Sequence, residues 1–156
     1  MSTFKTYTTL TLNETQFKEI NELWNNEYPI KLKDRFPLLL QDAICKNHYL
    51  IEDENKSVIA WAVVFEKDNQ IRFSIIVSSK QKGKGLGTDL INLIKTDHPS
   101  FYGWVIDHNN DLKRNNEPYL SPLDFYMKQG FQIIPESRID SEMIKAVLIK
   151  WEANNG

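Results

Sequence analysis

The sequence is short of the features that define many protein classes. It has a single cysteine, Cys45, in 156 residues, so no internal disulfide can form. Cys45 lies among Leu39, Leu40, Ala43 and Ile44, which reads as a buried, inert thiol, and such usage suits a reducing compartment. No apolar run approaches the roughly 20 residues of a membrane span. The opening MSTFKTYTTL has no apolar core of a secretory signal, so a cytoplasmic location is expected. An excess of one charge is missing too. Nineteen Lys and Arg stand against 21 Asp and Glu, a net charge of −2. With no basic stripe, a nucleic-acid partner is not expected. Repeats, linkers and low-complexity tracts are absent. At 41% hydrophobic and 26% charged residues the composition is that of an ordinary globular domain. The length predicts one domain over residues 1–156.

Glycine is also scarce, which makes its placement informative. Three of the six glycines fall within five residues, at Gly83, Gly85 and Gly87. Before them, Ile71, Phe73, Ile75 and Val77 alternate with Arg72, Ser74, Ile76 and Ser78, the period of a strand. After them, Leu86, Leu90, Leu93 and Ile94 recur at helical spacing. A strand therefore enters a glycine loop, and the loop opens a helix. The first helical amides have no intrahelical acceptor and carry the positive end of the dipole. Glycines let a ligand approach the backbone, and Lys82 and Lys84 add charge. The stretch reads as a cradle for a phosphate or pyrophosphate.

Two familiar cradles do not fit. A P-loop needs glycine where Ser78 stands and Ser or Thr where Gly85 stands. A dinucleotide fingerprint needs its last glycine where Thr88 falls. KGKGLG at 82–87 instead resembles the Arg/Gln-x-x-Gly-x-Gly/Ala signature of the GNAT superfamily of acetyl-CoA-dependent N-acetyltransferases. Lys82 departs from it by keeping a cation without the planar fork of arginine. A second motif, DFYMKQGF at 124–131, resembles that family's FYxKxGF ending. The resemblance runs from about Val58 to the C-terminus.

The rest of the chain can be read locally. FKTYTTLTL at 4–12 is a strand. Asn13 and Gln16 form a capping box for a helix burying Phe17, Ile20, Trp24 and Tyr28, ended by Pro29. Asp34 caps an expected second helix with Phe36, Leu39, Leu40, Ala43 and Ile44 on its apolar face. Strands follow at 48–53, 57–66 and 71–77, joined by short turns. His48 reads as a hydrogen-bonded structural histidine. After the glycine helix come a fifth strand at 101–107 and a polar loop at 108–120. Ser121, Pro122 and Asp124 then start a short helix that Gly130 stops. Two last strands lie at 131–134 and 143–151. The expected class is α+β: a mixed, mostly antiparallel seven-stranded sheet with about four helices. The resemblance adds a splay between the fourth and fifth strands.

The resemblance implies an enzyme that moves an acetyl group from acetyl-CoA, its co-substrate, to the primary amine of a small molecule by direct attack, with no metal. A protein acceptor and a non-catalytic acyl-CoA-binding domain are the alternatives. A homodimer is one expectation. By the same resemblance Ile76, Val77 and Ser78 meet the pantetheine and acetyl group. Lys82, Gly83, Lys84, Gly85, Leu86, Gly87 and Thr88 hold the pyrophosphate, and Tyr126 stands where the family has its general acid. The amine must also become neutral. Asp107, His108 and Glu66 are the candidates to help, His108 having the most suitable ordinary pKa. The family often has asparagine where this chain has Tyr119. The loop at 108–120, with Arg114 and Glu117, is expected on the acceptor side. Trp24 and Tyr28 on the first helix are the other acceptor candidates.

Overall fold

The computed structural model describes residues 4–153. Its elements in chain order are β1 (Lys5–Thr9), α1 (Glu14–Glu27), α2 (Phe36–Leu39), β2 (Ile44–Glu52), β3 (Val58–Lys67), β4 (Gln70–Val77), α3 (Leu86–Asp97), β5 (Ser100–Ile106), α4 (Leu123–Lys128), β6 (Gln132–Asp140) and β7 (Lys145–Glu152). The strands form one seven-stranded sheet in the order β1-β2-β3-β4-β5-β7-β6. β4 and β5 run parallel, and every other neighbouring pair is antiparallel.

Local chemistry accounts for much of this. Asn13 Oδ1 accepts from the Gln16 amide at 2.8 Å, and Gln16 Oε1 accepts from the Asn13 amide at 2.9 Å. Two helix-start donors are thus satisfied reciprocally. Asp68 and Asn69 both take positive φ, 53° and 61°, and so form the two-residue turn that suits the twist of the β3–β4 hairpin. The interior is built on both faces of β3, buried from Val58 to Phe65. Ala60, Ala62 and Val64 face the core formed with α3, while Trp61, Val63 and Phe65 face the core formed with α1 and α2. That two-sided burial explains why β3 shows no polar alternation.

Several sequence expectations change. The second helix is one turn, Phe36–Leu39. Asp34 does not cap it: the residue has φ 62°, and its amide and carboxylate are both held by the Asn25 side chain. The chain from Ile44 onward belongs to β2, where Ile44 is 61% exposed and Cys45 half-buried. On α1, Leu23 and Asn25 are buried and Phe17 is exposed; on α3, Ile91 takes the buried place expected of Leu93. β6 runs on to Asp140 through an irregular register between Ile134 and Arg138. β7, long enough to pair with β6, lies between β5 and β6. His48 is buried and accepts a hydrogen bond at Nδ1 from Trp61 Nε1 at 3.0 Å.

Candidate active site

The sheet opens between its two parallel strands. β4 and β5 pair only at Arg72 and Tyr102, near the start of both. Beyond that point β4 has no neighbour on this side. Which of its main-chain groups face the opening follows from the register on the other side. The Ser78 amide donates to Ile59 O at 2.9 Å, and Ile76 pairs with Trp61. Hydrogen-bonded positions alternate along an antiparallel pair. So Ile76 and Ser78 turn their amides to β3, whereas Ile75 and Val77 turn theirs into the gap. Of the expected trio Ile76, Val77 and Ser78, only Val77 offers a free main-chain donor there. Ile75 joins it, a residue that only the register reveals.

The gap is wedged at its base by Phe73. Its ring lies against Gly103 of β5, where an added Cβ would stand 2.4 Å from the ring. Glycine is thus required for close approach of the two strands. Phe73 packs edge-on to Phe101 and Tyr126, at 5.2 and 5.6 Å between ring centroids.

The glycine loop lies past the end of β4. Gly83 and Gly85 have φ 84° and 76°, and a Cβ built on either meets nothing within 4 Å. The positive φ favours glycine, and the empty space leaves the backbone open. The amides from Gly83 to Thr88 find no acceptor among the described residues. Gly85 stands at the N-cap of α3. Lys84 holds Gln81 Oε1 at 2.8 Å and lies over the Phe4 ring. Together with Ile75, Val77, Lys82, Pro122, Phe125 and Tyr126, the loop lines a cavity of about 400 Å³. Unpartnered amides around an open concavity fit an anion, and the apolar continuation toward Tyr126 fits a thin apolar chain.

Tyr126 projects from α4 into the mouth of the gap. It is 7% exposed, and its hydroxyl has no hydrogen-bond partner among the described residues. Burial, with a smaller contribution from Tyr28, pushes its pKa far above the usual tyrosine range, so the hydroxyl keeps its proton. α4 is held by Ser121, whose Oγ donates to Ile106 O at 2.5 Å and accepts from the Leu123 amide at 3.3 Å. Tyr126 lines the glycine-loop cavity and also a second one of about 250 Å³ on the α1 side of the sheet.

That second cavity is aromatic and aliphatic. Trp24, Tyr28, Phe65, Trp104, Tyr119 and Ile144 are among its wall residues, and Ser74, Lys67 and Arg72 are polar members besides the tyrosine hydroxyls. Among the described residues, no Asp, Glu or His lines it. Tyr28 Oη and Ser74 Oγ are 3.3 Å apart across it. Burial raises the pKa of both Tyr28 and Tyr119. Trp24 and Tyr28, the acceptor candidates on the first helix, line this cavity. Trp104, Ser74 and Arg72 were not singled out, because each sits on a strand whose neighbours only the fold supplies.

Asp107 and His108 are placed elsewhere. They line a separate depression with Lys31, Asn110, Asp111, Arg138 and Lys145, sharing no wall residue with the cavities at Tyr126. Arg138 donates to Asp107 at 2.7 Å and holds its carboxyl below the usual range. The Asn110 amide donates to His108 Nδ1 at 3.1 Å, and His108 Nε2 lies 3.8 Å from Asp111 Oδ2. Glu66 is paired with Lys46 at 3.4 Å. The loop 108–120 is a docked hairpin. The Ile30 amide donates to Leu112 O at 2.8 Å, Lys113 reaches Glu27 at 3.4 Å, and Arg114 binds Glu22 at 2.6 Å. Arg114 is therefore committed to α1, Glu117 is exposed, and Tyr119 is the residue this loop gives to the aromatic cavity.

No protein-family model and no curated protein sequence matches the chain. Solved structures do. A candidate phosphinothricin N-acetyltransferase is similar over 97% of this chain and 100% of its own, at 17% identity and a TM-score of 0.66. The GNAT-superfamily phosphinothricin acetyltransferase of Sinorhizobium meliloti, solved with AcCoA, covers 97% of this chain and 90% of its own, at 14% identity and a TM-score of 0.59. A variant of the spermidine/spermine N-acetyltransferase SpeG from Vibrio cholerae covers 96% and 94%, at 15% identity and a TM-score of 0.58. The chain has the fold of the GNAT N-acetyltransferases. At these identities the likeness speaks for the fold, and the chemistry has to be argued from the residues.

Proposed function

We propose that this protein is an acetyl-CoA-dependent N-acetyltransferase acting on the primary amine of a small molecule. The observation that carries the reading is the position of Tyr126, which together with Pro122 lines both cavities where β4 and β5 have ceased to pair. One cavity ends in the unpartnered amides of the glycine loop, suited to a pyrophosphate. The other is an apolar chamber suited to an acceptor. A thioester threaded from the first would present its carbonyl at the opening, where the acceptor amine can reach it.

The roles of the residues follow. The amides of Gly83 to Thr88 hold the anionic end, with Lys82 and Lys84 beside them. The amides of Val77 and Ile75 face the developing oxyanion; one positioned donor of this kind contributes about 2.7–4 kcal/mol in comparable sites. The attacking nitrogen forms a bond to the carbonyl carbon, and the carbon–sulfur bond then breaks. Tyr126 donates a hydrogen bond to the departing thiolate. Its raised pKa, against about 8.5 for a thiol, makes full proton transfer uphill, so the hydrogen bond is the better role. The proton lost by the amine leaves to water. Asp107 and His108, in their own depression, are not assigned to it. Release of free thiol from acetyl-CoA, followed across a panel of small amines, tests the reading. A protein that binds acetyl-CoA but releases no thiol with any of them would be an acyl-CoA-binding domain instead.

A further inference from the structure

The aromatic chamber says more about the acceptor than that it is an amine. Its volume of about 250 Å³ is at or below the small end of ligand pockets, about 300–1,000 Å³. Its wall has no carboxylate to receive a second ammonium group, and the charges that do line it, Lys67 and Arg72, are positive. Lys67 has no ion-pair partner among the described residues. Arg72 spends one donor on Gln70 Oε1 at 2.9 Å and lies 3.7 Å from Asp68, which is 77% exposed. Apart from that long, solvent-exposed ion pair, the remaining donors of the guanidinium make no hydrogen bond among the described residues and suit a planar anion. Ser74 stands two residues further along the same face of β4, about 6.6 Å away by strand geometry. Its hydroxyl lies 3.3 Å from that of Tyr28, and both share the chamber wall with Tyr126.

From this arrangement, and resting on the transferase reading above, we propose that the acceptor is a hydrophobic α-amino acid. Its α-amine sits at Ser74 and Tyr28, its carboxylate on Arg72 with Lys67, and its apolar side chain between Trp24 and Trp104. An amine and a carboxylate on one carbon would engage two successive positions on this face of β4. The missing base points the same way. With no Asp, Glu or His in the wall, the amine has to reach the thioester neutral by its own chemistry. An α-amine at a chain end titrates near 8 and a lysine amine near 10.4, so at pH 7 about one molecule in ten is neutral against about one in 2,500. Free amino acids fall between those limits. Polyamines and lysine side chains are disfavoured twice, by basicity and by the positive rim.

The test compares L-phenylalanine, 2-phenylethylamine, L-lysine and spermidine as acceptors at fixed acetyl-CoA, reading kcat/KM by thiol release. Phenylethylamine is phenylalanine without its carboxylate and is also the more basic amine, so Arg72→Gln is needed to separate the contact to Arg72 from basicity. Phenylalanine should exceed phenylethylamine by about tenfold or more and spermidine by about a hundredfold or more. Arg72→Gln should lower the phenylalanine-to-phenylethylamine ratio by at least about tenfold, chiefly through KM. Binding of each amine to the CoA-loaded protein, read from the fluorescence of Trp24 and Trp104, needs no turnover. If phenylalanine binds and Arg72→Gln loosens it while no amine is acetylated, the ligand class stands and the transferase reading falls. If spermidine or phenylethylamine is preferred, or the ratio survives Arg72→Gln, or phenylalanine neither binds nor reacts, the amino-acid assignment is overturned.

Discussion

At the scale of single residues, two side chains show how surroundings set chemistry. Tyr126 is a protonated donor kept in place by aromatic packing, with Phe73 at 5.6 Å and Phe131 at 5.4 Å between ring centroids. Tyr126→Phe removes the hydroxyl and little volume. Turnover should fall by about 10- to 150-fold, the equivalent of one charge-assisted hydrogen bond of about 1.5–3 kcal/mol, with acetyl-CoA affinity nearly unchanged. An unaltered rate at saturating substrate would assign Tyr126 to packing and thiolate protonation to water. His48 is the second case. Burial lowers its pKa from 6.5 to about 4, and its Nδ1 must stay unprotonated to accept from Trp61. The unfolded chain therefore takes up the proton first. The stabilisation is complete above pH 6.5 and is lost as pH falls toward about 4, on the order of 3 kcal/mol in all. His48→Gln keeps an acceptor for Trp61 but does not titrate. Its unfolding free energy should vary less across that window than the wild type's, as measured by urea melts at stepped pH; equal slopes would discount His48.

At the scale of elements, α1 is the piece on which the aromatic chamber depends. It supplies Trp24, is followed directly by Tyr28, and anchors the loop 108–120 through Glu22 and Glu27. Its start is fixed by the Asn13–Gln16 box. Asn13→Ala should cost about 1 kcal/mol of stability, visible as a lower denaturation midpoint. Because the loop sits on the far end of α1, the acceptor KM should change little; a large KM effect would mean that α1 frays through to Trp24. The loop itself looked unpatterned because its partners are distant. Main-chain bonding to Ile30 and ion pairs to α1 hold it, and none of these leaves a periodic trace in residues 108–120. Conversely, the second helix looked longer than it is. Leu39, Leu40, Ala43 and Ile44 keep helical spacing, yet Ile44 has already joined β2 opposite Glu66. Strand pairing overrode a local preference there.

At the scale of the whole molecule, the interrupted sheet is the organising fact. A continuous β4–β5 ladder would consume the amides of Ile75 and Val77; because pairing stops at Arg72 and Tyr102, they stay available. Acetyl-CoA should bridge the two halves of the sheet and stabilise the fold. At 100 times its dissociation constant it should add about 2.7 kcal/mol, read as a rise in melting temperature. Gly85→Asp places a carboxylate among the loop amides and a side chain at φ 76°, and should abolish that rise. Stabilisation by NADH or ATP in place of acetyl-CoA would remove the case for this cradle.

What the sequence determined by itself is what neighbouring residues decide among themselves. Strand, glycine loop and helix from Ile71 to Asp97 are contiguous, so their succession could be read directly. So could the turn at Asp68–Asn69, the cap at Asn13 and the short helix bearing Tyr126. The tertiary structure decided everything that joins distant residues. It set Asp107 against Arg138, 31 positions away, in a depression apart from the cavities that Tyr126 lines. It placed β7 between β5 and β6, and it gathered Trp24, Ser74, Trp104 and Tyr119 from separate elements into one chamber. Periodicity reports which face of an element is apolar, because that depends on residues a few positions apart. Which faces meet, and which main-chain donors are left free, depends on strand order and register, and these are set by the packing of the whole sheet.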